Sequence, residues 1–277
     1  MRNETITMEM MNFAKDVALA VNGEVVIREK ANGVQKVGIQ PKERKGNAVP
    51  CYYIDSAFKK GFTVAEVVKL YDEVISHSAT DIDANFVYDL EKVKPLLRCG
   101  LFNKATNKEV FVSARGYGYS DLIICPSILV NDIKGVGVGS IWVTNHMLEF
   151  WGVDVKELVK IGLENEKLYM KGLSQVMAEL MGQEIPDCFE PDDFLFVVSN
   201  ESKVNGAISV IAHRKELMKK FPNGYVVLPS SVNEVLVMDI NRYDPALIEM
   251  VKEINGTEVA PEEILADNVY VIRPRRK

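Results

Sequence analysis

GSIWVTNHMLEFWG, residues 139 to 152, is the stretch whose reading decides the fold class. Ile141, Trp142 and Val143 favour extended backbone, because β-branched and aromatic side chains pack well on a pleated surface. Thr144 and Asn145 follow with short polar side chains suited to the orphan N–H groups of a helix N-terminus. Met147, Leu148, Phe150 and Trp151 make a short apolar turn, and Gly152 is placed to end it. Asp154, with Glu157 three residues on, opens a second helix, and Val153 and Leu158 can pack across that cap. The expectation is a buried strand running into two helices.

The stretch has an echo. GSIWVTNHMLEF (139 to 150) and GAISVIAHRKEL (206 to 217) share a glycine, an isoleucine, a valine, a histidine and a glutamate in register. Both read as turn, strand and helix, which points to related strand-helix units.

Working outward, residues 5 to 22 read as a helix with Gly23 as its stop, followed by a hairpin, EVVIREK and VQKVGIQ, turned by Asn32-Gly33. VPCYYID predicts a third strand, and Phe62 to Val67 a capping box that opens a helix to about Ser76. Helices over 86–94 and 108–114 flank a strand over 96–102. DLIICPSILV (121 to 130) is apolar at nearly every position, the pattern of a strand covered on both faces, with Pro126 marking a bulge or an edge. Amphipathic helices are expected at 154–164 and 168–182. The acidic segment 183–193, with two prolines, reads as a linker. Beyond it FLFVVSN and AISVIA predict a hairpin, then come a helix over 214–220 and the strands YVVLP and EVLVMDI. A helix from Asp244-Pro245 to Gly256 and a closing strand over 269–272 complete the chain. The fold class is α+β, with mixed, largely antiparallel sheets and flanking helices. Three units are expected, 1–94, 95–183 and 184–277, of which the last two can form one domain.

Composition excludes more than it assigns. The 277 residues are 47% apolar and 26% charged, ordinary for a globular chain, and no apolar run has the length of a membrane span. The net charge of −6 argues against a nucleic-acid partner. Cys51, Cys99, Cys125 and Cys188 are scattered and form no CxxC, so they read as reduced thiols of a cytoplasmic protein. No motif specifies an oligomeric state.

Each constellation with chemical potential competes with a plainer reading. Gly135-x-Gly137-x-Gly139 has neither the GxGxxG nor the Gly-Lys-Ser/Thr spacing of a nucleotide loop, and reads as a hairpin tip. Arg115-Gly116-Tyr117-Gly118-Tyr119 interleaves a cation and aromatics with glycine, which suits a small-anion or ligand pocket made by Arg115, Tyr117, Tyr119 and Gly137. Ser230 or Ser231 with His213 and Asp239 lacks a nucleophile elbow, and Cys125 or Cys188 with His146 has no supporting pattern. His146 and His213 each stand one helical turn from a glutamate, Glu149 and Glu216, a spacing that serves a cap as well as a metal, and no metal or cofactor is expected. His77 at a helix C-terminus is explained by the dipole.

A resemblance joins these readings at Trp151 to Leu158, Leu163 to Asn165, Tyr53 to Ser56, Asn205 to Ala207, Val227 to Val235 and Glu258 to Glu263. In order, from about residue 5 to 272, the chain resembles a bacterial family, a domain of unknown function common in gut clostridia and other Firmicutes. Members of that family carry Ser-Ile-His-Glu where this chain has Asn233 before Glu234. A fainter likeness, at the Trp-Gly-Val and LPSS segments, is to a second Firmicutes family of cytosolic proteins. The resemblance implies kinship of fold and a bacterial cytosolic setting, with no activity attached.

The functional expectation is a cytosolic, non-enzymatic binding or regulatory protein for a protein partner or small ligand. The alternative is a hydrolase or transferase whose site joins His146 or His213 to Asp121, Arg115 or Ser230.

Overall fold

In the computed structural model, which describes residues 6–43, 49–77, 85–107, 112–116, 119–130, 139–182 and 194–274, helix α1 (Met8–Ala20) starts where the Thr7 hydroxyl accepts the Met10 N–H at 3.1 Å. Its stop is Asn22, at φ 50°, and not Gly23. Gly23 instead begins β1 (Gly23–Glu29), where a Cβ would press to 2.9 Å of Ile39. β1 turns into β2 (Gln35–Pro41) through Asn32 and Gly33, both left-handed, as the Asn-Gly pair predicts. β3 is only Tyr52–Tyr53, because Asp55 opens α2 (Asp55–Lys59) with its carboxylate on the Val37 N–H at 3.1 Å. The capping box opens α3 (Val64–His77): the Glu66 carboxylate accepts the Thr63 N–H at 2.8 Å. Ala14, Val17, Val37, Ile39, Ile54 and Val67 fill the space between these helices and the three-stranded sheet.

Residues 85–96 form short turns around α4 (Leu90–Val93) in place of one helix over 86–94. Asp89 is the reason: its side chain takes the Glu91 and Lys92 N–H groups, which restarts the helix there. β4 (Leu97–Asn103), β5 (Ala114–Gly116), β6 (Tyr119–Val130) and β7 (Gly139–Trp142) make a second antiparallel sheet with β6 at its centre. Of the helix expected over 108–114, residues 108–111 lie outside the described chain, and Ala114 belongs to β5. Pro126 marks neither a bulge nor an edge strand. It sits where one side of β6 passes from pairing with β5 to pairing with β7, so its missing N–H falls between partners, while its carbonyl accepts the Val143 N–H at 3.1 Å. β7, at that edge, is half-buried and not the buried strand expected. The rest of the opening stretch folds as read. The Thr144 hydroxyl caps α5 (Asn145–Trp151), Gly152 ends it at φ 66°, and Asp154 caps α6 (Val155–Glu164).

β8 (Leu168–Gly172), α7 (Leu173–Leu180), β9 (Leu195–Asn200), α8 (Ser209–Ala212), α9 (Arg214–Lys220), β10 (Tyr225–Pro229), β11 (Val235–Asp239), α10 (Ala246–Thr257) and β12 (Tyr270–Ile272) complete the chain. Their strands form an antiparallel sheet ordered β12-β10-β11-β9-β8. Several expectations fail here. Residues 168–182 divide into a strand and a helix, since Leu168–Gly172 takes one side of β9. AISVIA is helical, because β8 and β11 already occupy both sides of β9 and a short all-apolar run suits a buried helical turn equally. The 139–150 and 206–217 windows therefore adopt different structures, and the echo does not mark related units. Gly256 lies inside α10, which runs on to Thr257. The proposed linker, 183–193, lies outside the described residues. The architecture is α+β with largely antiparallel sheets. One apolar core, including Leu101, Ile124, Val198, Ile208, Leu217 and Val237, joins the second sheet to the third.

The N-terminal hairpin meets this body chiefly at Asn32, with Ala31 packed against the body's core beside it. Asn32 is 7% exposed and Asn107 fully buried. The Asn32 N–H donates to Asn107 Oδ1 at 2.8 Å, and its Nδ2 donates to the carbonyls of Pro261 and Ile264 at 2.9 and 2.8 Å. Its Oδ1 accepts from Thr106 Oγ1 at 2.7 Å and Asn107 Nδ2 at 2.8 Å. Beside it Lys36 pairs with Glu262 at 2.9 Å. The left-handed turn aims the amide, so residue type serves backbone and contact together. Asn32→Ala strands donors on 106–107 and acceptors on 261–264 and should cost about 3 kcal/mol or more in urea unfolding. Unfolding unchanged within about 0.5 kcal/mol would show the joint to be incidental.

Candidate functional site

An open cleft of about 1060 Å³ lies between α6, the α8–α9 corner and the segment after β12. α6 is amphipathic. Leu158, Val159 and Gly162 face inward, and Gly162 lies so close to β4 that a Cβ would reach 2.6 Å from Cys99 Sγ. That approach leaves Lys160, Leu163 and Glu164 on the cleft side. Across from them, Leu217 anchors α9 in the core and turns Lys215, Glu216, Met218 and Lys219 to the opening. Pro222, Arg273 and Pro274 form the third wall.

The cleft is stratified. Leu163, Ile211, Ala212 and Met218 are half-buried and make an apolar floor, with His213 and Arg214 half-buried among them. Lys160, Lys215, Lys219 and Arg273 stand exposed at the rim. Among the described residues, no carboxylate forms an ion pair with any of these lysines and arginines. A second pocket, beside α7, is smaller, about 450 Å³, and has no charged side chain among its described lining.

His213 sits at the corner between α8 and α9, its side chain 17% exposed. Its Nδ1 is 3.9 Å from Glu216 Oε2, and its Nε2 is shut off from solvent with no hydrogen-bond partner among the described residues. Glu166 is the buried carboxylate of the site, 5% exposed. One oxygen accepts the Cys99 N–H at 3.3 Å and the other accepts Asn200 Nδ2 at 3.1 Å. Burial pushes its carboxyl up, against the opposing pull of those two bonds. Arg214 faces inward as well: burial raises the phenols of Tyr119 and Tyr225, the latter to about 12, and the Arg214 charge offsets part of each rise. The Tyr225 hydroxyl is buried without a partner among the described residues.

The residues singled out in the sequence are dispersed. His213 lines the cleft; His146 is exposed on α5, outside it. Tyr119 and Asp121 come together around Tyr270, whose ring meets Tyr119 edge-on at 4.7 Å and whose hydroxyl donates to Asp121 Oδ2 at 3.0 Å. Ser230 is half-buried at the end of β10, and neither it nor Asp121 is in the cleft's described lining. Arg115 lies in β5 and its side chain is outside the description, as are Tyr117 and Gly137 altogether. Asn233, singled out in the sequence, is a structural junction: its Oδ1 accepts the Asn205 N–H at 3.1 Å and its Nδ2 donates to Glu263 at 3.2 Å. Among the described residues no group of three or more His, Cys, Asp or Glu is placed to hold a metal, and no helix is long and apolar enough to cross a membrane. Sequence reading missed Lys160, Glu166 and Lys219. The run RKELMKK on α9 was the available signal, and it reads as an ordinary solvated face.

The chain belongs to the Family of unknown function (DUF5688), whose model matches residues 5–273. No curated protein and no solved structure matches it.

Because burial raises the Glu166 carboxyl in the native state, the folded protein binds that proton more tightly than the unfolded chain. This contribution to stability is present at acid pH and is lost as pH rises through the native value. Glu166→Gln should flatten that part of the pH profile in urea unfolding. Glu166→Ala, which leaves the Cys99 N–H without its side-chain acceptor and the Asn200 amide with only the Val204 carbonyl, should cost about 1–3 kcal/mol at every pH. Identical pH profiles for wild type and Glu166→Gln would refute the assignment.

Proposed function

We propose that this member of a family of unknown function is a non-enzymatic binding or regulatory protein, and that it takes a small anionic ligand in the cleft between α6 and the α8–α9 corner. The observation that carries the reading is the gathering of Lys160, Arg214, Lys215, Lys219 and Arg273 around one cavity, where they outnumber the carboxylates of Glu164, Glu166 and Glu216, in a chain of net charge −6. Surface cations without carboxylate partners contribute little to folding. Their common focus supports anion capture, and a cavity of about 1060 Å³ accepts a ligand of ordinary metabolite size. On this reading 1–94 is a separate module, while 95–183 and 184–277 build the cleft together. The setting we propose is the cytoplasm of a Firmicute, a reading supported by the free thiols of Cys51, Cys99 and Cys125.

A second reading, a hydrolase or transferase with His213 as base, draws on the unpartnered Nε2 in the same cleft. On that reading the ligand or water brings the nucleophile. It requires turnover that His213→Gln abolishes while binding persists.

The binding reading is tested by thermal unfolding with organic phosphates and polycarboxylates at low and high salt. The expected result is a rise in Tm that shrinks with salt and is lost in the Lys160→Ala/Lys219→Ala double variant, whose own Tm stays near wild type. No shift with any anion, or an equal shift in the double variant, would overturn it.

A further inference from the structure

We propose, resting on the anion-binding reading above, that the ligand of the cleft is an amphipathic anion: a phosphate or carboxylate head carried on a hydrocarbon body. The argument is the layering of the site. A receptor for a bare anion such as phosphate surrounds it with donors at close range, because any apolar wall in contact with the ion raises its desolvation cost. Here four cations stand at the opening, beside the carboxylates of Glu164 and Glu216, and the floor beneath them is mostly apolar, with His213 and Arg214 set into it. Lys160, Lys215, Lys219 and Arg273 are exposed, whereas Leu163, Ile211, Ala212 and Met218 lie half-buried below them. Pro222 and Pro274 extend the apolar wall to the mouth.

The floor is also ill suited to a deeply seated charge. Glu166 reaches it as a buried carboxyl group whose oxygens are already occupied by the Cys99 N–H and the Asn200 amide, so it leaves those donors unavailable to an anion at that depth. A ligand that satisfies both layers lays an apolar body on Leu163, Ile211 and Met218 and keeps its charge at the lysines. Met218 adds adaptability, since an unbranched thioether conforms to chains of differing shape. Arg214, half-buried among the floor residues, is the cation placed to meet a head group that sits below the rim.

The experiment is calorimetric titration of the full chain with decyl phosphate and decanoate, each below its micelle concentration, beside inorganic phosphate, citrate and decanol. Decyl phosphate and decanoate should bind at least about tenfold more tightly than inorganic phosphate and citrate, because burial of several methylenes adds to the charge contact. Met218→Ser, or Leu163→Ser should the first variant not fold, should erase that preference. Lys160→Ala/Lys219→Ala should weaken the decyl anions by about tenfold while leaving the fold intact. Equal affinity for inorganic phosphate and decyl phosphate would overturn this inference and leave the anion-binding reading standing. Decanol binding as tightly as decanoate would overturn both, as would no binding by any probe. Association with phosphatidylglycerol vesicles without binding of either monomeric amphiphile would replace the pocket by a membrane-surface contact and overturn the inference.

Discussion

The end of α6 is pinned to both neighbouring sheets by one buried carboxyl group. Glu166 lies just beyond the C-terminus of α6 and holds β4 through the Cys99 N–H and β9 through the Asn200 amide. Asn165 beside it donates to the carbonyls of Lys94 and Leu97, fixing the entry to β4. The second and third sheets share no strand, so their relative position near this helix is set by apolar contact, which is non-directional, and by these bonds, which are directional. A buried carboxylate is costly unless its oxygens are occupied, and both are. The same pair of contacts that joins the sheets fixes one wall of the cleft.

The local signals and the assembly differ sharply in how far sequence reveals them. Turn and cap chemistry is written in single residues, and it read through directly at Asn32-Gly33, at Thr63 with Glu66, and at Thr144, Gly152 and Asp154. What failed was the assignment of short apolar runs. AISVIA and LYMKG are each compatible with either backbone, and which they adopt depends on whether β9 has a side to fill. LYMKG found one open; AISVIA found both taken. Strand pairing between distant segments decides such cases, and no local pattern carries it.

The candidate site was harder still, because its parts come from α6, the α8–α9 corner and the chain after β12. His213 attracted notice for being one of three histidines, and it does line the cleft, but Asp121 and Ser230 do not join it there. Asp121 is instead committed to the Tyr270 hydroxyl, within the layer where Tyr119 packs. Lys160 and Lys219 look like solvated helix residues when each helix is read alone. Their meaning lies in convergence, which is a property of packing.

Convergence of like charge also bears on why the cleft exists. Lysines and arginines facing one opening repel one another, and elsewhere in this chain the pairs Lys94 with Glu91, Lys252 with Glu249 and Lys36 with Glu262 show cations matched to nearby carboxylates. At the cleft Glu164 and Glu216 are available in the lining, yet no described lysine or arginine pairs with them. Folding stability gains little from such an arrangement, since exposed charges interact weakly through water. An apolar floor left half-buried beneath them is likewise neither a closed core nor a polar surface. Neither feature adds to the stability of the isolated chain, and both are what the binding reading proposed above would account for.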